Sequence, residues 1–142
     1  MLLVSAFLTG DNMITEKEQW NEDWQNFTPD EVKCQHCGEL KIDEELMDLI
    51  QDARETLGPL RITSGYRCPE HNSNVSKKSG LNGPHTTGKA LDIGTNSSQQ
   101  RKELIDYFAT KVSGLGIAKS FIHIDLLTDD DGFDARPNCW TY

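Results

Sequence analysis

The sequence has no apolar run near 20 residues, which excludes a membrane-spanning helix. Basic side chains are scarce: 14 Lys and Arg against 23 Asp and Glu leave a net charge of −9. With nothing to neutralise a run of phosphates, nucleic acid is excluded as a general partner. The acid excess reads as a solubility feature of the surface. Internal repeats, low-complexity blocks and linkers are all missing, so nothing divides the 142 residues, and 36% hydrophobic content suffices for one buried core. The apolar stretch Met1 to Leu8 has no basic residue before it and no small-residue cleavage box, and reads as a lead-in rather than an export signal.

Residues 1–26 read as an N-terminal arm and 27–142 as the domain proper. Trp20 and Trp24, four residues apart, are expected on one face of a short helix. Thr28-Pro29-Asp30-Glu31 is a capping box with proline at the first helical position. From about Asp43 to Leu57, Leu46, Leu49, Ile50, Ala53 and Leu57 recur at helical spacing until Gly58-Pro59. Leu60 to Thr63 reads as a short strand, Asn72 to Thr87 as a long loop of the kind that carries function, and Ala90 to Gly94 as a strand. Ser97 or Ser98 caps a helix with the stripe Leu104, Ile105, Phe108 and Val112, which Gly114 and Gly116 are expected to end. Ser120 to Leu127 is the strongest strand. Without regular βαβ alternation, the class is α+β, a small and mostly antiparallel sheet with flanking helices.

Strand alternation separates chemistry from core. Ile122, Ile124 and Leu126 face one way, and Phe121, His123 and Asp125 the other. By the same rule Leu91 and Ile93 go inward and Asp92 outward, with His85 seven residues before it. Two imidazoles and one carboxylate that converge would leave a fourth position open, as catalytic zinc sites do. On spacing alone, a His123 that merely hydrogen-bonds at the rim is the competing reading.

The run His85-Thr86-Thr87-Gly88-Lys89-Ala90-Leu91-Asp92 resembles the H-x-x-G-x-A-x-D signature of zinc D-Ala-D-Ala carboxypeptidases and related peptidoglycan peptidases. That group includes phage L-alanyl-D-glutamate endolysins and shares its fold with the Hedgehog signalling domain. Phe121-Ile122-His123-Ile124-Asp125 is similar to the family's last ligand strand, and Ser64-Gly65-Tyr66-Arg67 to the segment whose arginine faces substrate. The resemblance implies a Hedgehog/DD-peptidase-like fold, one catalytic Zn2+ on His85, Asp92 and His123, and a peptidoglycan stem peptide as substrate. It also implies that Arg67 grips a substrate carboxylate or polarises the scissile carbonyl, with Ser64, Tyr66 and Trp140 lining the groove. For Arg67 a surface ion pair is the alternative, and for Trp140 and Tyr142 simple packing of the C-terminus.

Two departures stand out. Gly83 replaces a serine common two positions before the first histidine, and Ser120 and Phe121 occupy positions where relatives carry an acid or a histidine as general base. Asp125 is the nearest carboxylate and is expected to act as the base that takes a proton from zinc-bound water, with orienting His123 as the alternative. Asp129, Asp130, Asp131 and Asp134 are the reserve; as a calcium loop that turn lacks carboxylates at its first and twelfth positions. Cys34, Cys37, Cys68 and Cys139 fit a structural zinc site, two disulfides or unlinked thiols, and His36 and His71 widen the ligand choice. The expected protein is a monomeric zinc peptidase, in carboxypeptidase or endopeptidase form, released from the cytoplasm like a phage lysis enzyme or carried in a virion. A catalytically inactive zinc-containing binding module of the same fold is the rival.

Overall fold

The computed structural model describes residues 12–133 and 135–142, so the lead-in over residues 1–8 and Asp134 lie outside the described residues. The strands are β1 (Met13–Ile14), β2 (Ile42–Asp43), β3 (Ile62–Ser64), β4 (Ala90–Gly94), β5 (Gly114–Ile117), β6 (Phe121–Asp125) and β7 (Asn138–Thr141). The helices are α1 (Pro29–Val32), α2 (Glu44–Leu57), α3 (Pro69–Val75) and α4 (Ser98–Phe108). The class is α+β. Strands β1 and β2 form a small ribbon, and the main sheet runs β3-β4-β6-β5-β7. Its pairs are antiparallel except β5 with β7, which are parallel.

Local signals account for most elements. The Asp43 carboxylate accepts the Leu46 N–H at 3.1 Å to cap α2, and Gly58 ends that helix at φ 93°. Glu31 reaches back to the Thr28 N–H at 2.7 Å, closing the capping box of α1. Ser97 caps α4 through the Gln100 N–H at 3.0 Å. Leu46, Met47, Ile50 and Ala53 of α2 and Leu104 and Phe108 of α4 form one buried cluster with Leu91, Ile93, Ile122 and Ile124. The two long helices thus join the apolar face of β4 and β6 in the core.

Four expectations are corrected. No helix spans Trp20 and Trp24: a 3₁₀ turn at Lys17–Gln19 ends at Trp20, and the rings meet edge-on at 5.0 Å. Trp24 is buried and donates to Asp48 of α2 at 2.8 Å, so a tertiary contact rather than helical spacing places it. The stretch from Asn72 begins inside α3, capped by Cys68 and started by Pro69, and Pro84–Thr86 forms a 3₁₀ turn. Helix α4 stops at Phe108, and Gly114 and Gly116 belong to β5. They are glycines because neighbours occupy the space: a Cβ on Gly116 would lie 2.7 Å from the Trp140 indole nitrogen, and one on Gly114 would overlap the Asp125 carboxylate. The tail, read as a turn and an aromatic end, supplies the edge strand β7.

Gly65 follows β3 and sits against α1. A Cβ there would lie 2.6 Å from Val32 Cα and 2.8 Å from its carbonyl carbon, while the Tyr66 N–H bonds the Val32 carbonyl at 2.8 Å. Because both partners are backbone, they cannot yield as a side-chain tip would. Gly65→Ala is expected to cost about 2 kcal/mol of stability, measured as a lower urea midpoint with unchanged m-value; an unaltered midpoint would refute the close approach.

Candidate metal centre

Strands β4 and β6 pair so that Asp92 lies directly opposite His123, while Leu91 faces Ile124 and Ile93 faces Ile122. The carboxylate and the imidazole therefore share the face turned away from the core. His85 arrives from the Pro84–Thr86 turn, whose carbonyl at His85 accepts the Arg67 N–H at 3.1 Å. One ligand atom from each of His85, Asp92 and His123 lies within 4.8 Å of the others. The three side chains predicted to converge do so, and they are 2%, 9% and 2% exposed respectively.

The outer nitrogen of each imidazole is already committed. His85 Nδ1 lies 2.7 Å from the Gly65 carbonyl, which can only accept, so that nitrogen carries a proton. His123 Nε2 lies 2.7 Å from Asp125 Oδ2 and donates to it likewise. The inner nitrogens, His85 Nε2 and His123 Nδ1, both face Asp92 Oδ1, at 3.2 and 3.0 Å. Burial lowers the pKa of His85, with Asp92 only partly opposing it, so the ring is neutral and its lone pair meets a carboxylate oxygen. Burial also lowers His123, but the bonds to Asp125 and Asp92 outweigh it and raise its pKa. Burial alone would raise Asp92; the imidazoles outweigh it and keep it ionised. One nitrogen of each imidazole and one carboxylate oxygen thus converge, a donor set that could hold a divalent cation.

Behind His123 stands a second layer that the sequence reading only half contained. Asp125 is fully buried, and its oxygens are all engaged. Oδ2 accepts from His123 and from Arg136 Nη2 at 3.0 Å; Oδ1 accepts from Arg136 Nε at 3.0 Å and the Leu127 N–H at 3.3 Å. Burial pushes the Asp125 carboxyl up, and His123 and Arg136 more than offset it, holding it below the usual carboxylate range. Arg136 was not anticipated, since its only signal was a basic residue in an acidic tail. The Gly65 carbonyl is a backbone group and leaves no mark in the sequence. Of the acidic turn, Asp131 closes its own turn on the Thr128 N–H and Asp129 accepts the Arg136 N–H.

Arg67, in the loop after β3, is near enough to the cluster to feel the charge on Asp92. Its guanidinium is partly buried; desolvation lowers its pKa and the charge on Asp92 opposes that, and its Nε has no hydrogen-bond partner among the described residues. Ser64 pairs with Asp92 across β3 and β4. The half-buried Trp140 ring lies 5.3 Å from that of His123, with the Arg136 guanidinium 5.1 Å from the indole. The Tyr66 ring is instead buried with Cys34 and Cys68. Cys34, Cys37 and Cys68 come together, whereas Cys139 stands apart, exposed on β7.

Compared with known proteins, the family model described as Peptidase M15 matches residues 25–125. No curated protein matches the chain.

Removing Arg136 would strand a buried carboxylate. Arg136→Met is expected to cost about 3 kcal/mol, and adding Asp125→Asn should recover part of it, because an amide tolerates the lost cation. Urea unfolding of wild type, both singles and the double variant measures this; a double variant no more stable than Arg136→Met alone would contradict it.

Proposed function

The chain belongs to the peptidase M15 family, and on that premise we propose that it is a zinc-dependent hydrolase of peptide bonds in peptidoglycan stem peptides. Either a terminal D-Ala-D-Ala bond or an internal bond of the stem is the target. The observation that carries the reading is the inward-facing donor set: both imidazoles are anchored from behind and both aim at one oxygen of Asp92. Zinc held by His85, Asp92 and His123 would supply a Lewis acid that polarises a carbonyl and acidifies water.

The remaining residues hold and orient. Arg67 is the substrate-gripping group: a charged, partly buried guanidinium near Asp92 suits a peptide carboxylate or a developing oxyanion, which a guanidinium can grip through two nitrogens. Ser64 and Trp140 border the same face, on the two sides of the donor set. Asp125 is assigned to orienting His123 and balancing its charge rather than to taking a proton, because four hydrogen bonds fill both its oxygens. The protein would work as a monomer on the cell wall, reaching it by release from the cytoplasm or on a virion.

A second reading, a zinc-containing binding module without catalysis, is favoured by the engaged Asp125 and by Ser120 and Phe121 at the positions of the relatives' general base. Digestion of purified muropeptides, with products weighed, separates the two. Cleavage is expected, abolished in His85→Ala together with that metal, and reduced in Arg67→Ala by about a hundredfold in kcat/KM. A protein that holds the metal and binds muropeptides without releasing any product is the binding module. Product masses assign the bond.

A further inference from the structure

Among the described residues, one cluster of reactive side chains outside the proposed catalytic centre is unaccounted for. The sulfurs of Cys34, Cys37 and Cys68 lie within 4.8 Å of one another. Cys34 and Cys68 are buried and Cys37 is exposed. The sequence brings them together by two local devices. The Cys34-x-x-Cys37 turn closes when the Gly38 N–H bonds the Cys34 carbonyl at 2.9 Å; Gly38 has φ 80°, a conformation that favours glycine. The second device is the loop after β3, which delivers Cys68 to the cap of α3.

The sulfurs already behave as acceptors. The Cys68 N–H points to Cys34 Sγ at 3.3 Å, and the His71 N–H to Cys68 Sγ at 3.4 Å. Backbone N–H groups already directed at two of the sulfurs could go on donating to them as metal-bound thiolates. Three thiols cannot all be consumed by one disulfide, but they can share one soft cation. A closed zinc site needs a fourth ligand; His71, in the pattern Cys34-x-x-Cys37 with Cys68-x-x-His71, is the residue proposed for it, although its ring lies outside the group of three converging sulfurs and would have to turn toward them. His71 is three residues beyond Cys68 at the start of α3, half-buried, with its ring stacked on that of His36 at 5.5 Å. His36, the other imidazole nearby, is exposed and leans toward Glu70 at 3.9 Å.

We propose that Cys34, Cys37, Cys68 and His71 form a second, structural zinc site, separate from the site of His85, Asp92 and His123. Its role follows from its position. Cys68 adjoins Arg67 and lies three residues beyond Gly65, whose carbonyl anchors His85. A metal there clamps the loop that presents both groups. This inference does not depend on the proposed hydrolysis.

Native mass spectrometry of protein purified with zinc under reducing conditions should give two zinc ions per chain. Cys37→Ser, chosen because Cys37 is exposed, should lose one; His123→Ala should lose the other; the double variant should hold none. After cobalt substitution, a thiolate-to-cobalt charge-transfer band in the near ultraviolet should persist in His123→Ala and vanish in Cys37→Ser. His71→Ala should weaken the thiol site by at least about tenfold, while His36→Ala should not. Wild-type protein without the cobalt–thiolate band overturns the proposal, as does a mass short by two hydrogens that reveals a disulfide among these thiols. A band that survives while His123→Ala loses no zinc supports this site and counts against the catalytic centre instead.

Discussion

Everything in this molecule hangs on the register of β4 against β6. One alignment sets Leu91 against Ile124 and Ile93 against Ile122 on the inner face, and Asp92 against His123 on the outer face. A slip of a single residue would exchange the faces, burying the carboxylate among aliphatic chains and turning the core outward. Each fully buried aliphatic side chain contributes roughly 1.5–3 kcal/mol, and four of them lie on these two strands alone. That burial fixes the register. The polar cluster, costly to desolvate on its own, is carried on the back of an apolar one.

Orientation within the cluster comes from elsewhere. His85 is aimed by the Gly65 carbonyl of the loop after β3, and His123 by Asp125, which is in turn held by Arg136 from the tail before β7. Three separated segments therefore determine which nitrogen of each ring faces inward. The glycines of β5 belong to this arrangement: Asp125 and Trp140 occupy the volume where their side chains would stand. A sheet whose outer face were filled with ordinary side chains would have no room for the layer behind the histidines.

What was legible in the sequence divides along the same line. Helix α2 announced itself because its cap, its apolar stripe and its terminal glycine agree, and the alternation in Phe121–Asp125 told core from site because a strand has only two faces. The match of His85 through Asp92 to a known signature joined His85 to Asp92 and His123. The rest depended on contacts distant in sequence. Helix α3 was hidden by Asn and Ser, poor helix formers; the Cys68 cap and a buried Asn72 bonded to Gly80 hold it. Gly114 and Gly116 looked like helix stops because a close approach and a chain break leave the same letter. Arg136 lies eleven residues from Asp125 in a polar tail, and only the folded chain shows them paired.

The loop after β3 is where the two side-chain clusters meet. Successive backbone N–H groups in it point in opposite directions: that of Tyr66 to the Val32 carbonyl, next to the turn that carries Cys34, and that of Arg67 to the carbonyl of His85. Side chains follow suit. Tyr66 is buried with the thiols, while Arg67 feels the charge of Asp92. Gly65 leaves no slack, since its missing Cβ is all that lets the loop lie on α1. A segment bonded on both sides and packed without a gap cannot shift toward one cluster without moving away from the other. The position of Arg67 relative to His85 is therefore set as much by the cysteine turn on one flank as by the sheet on the other.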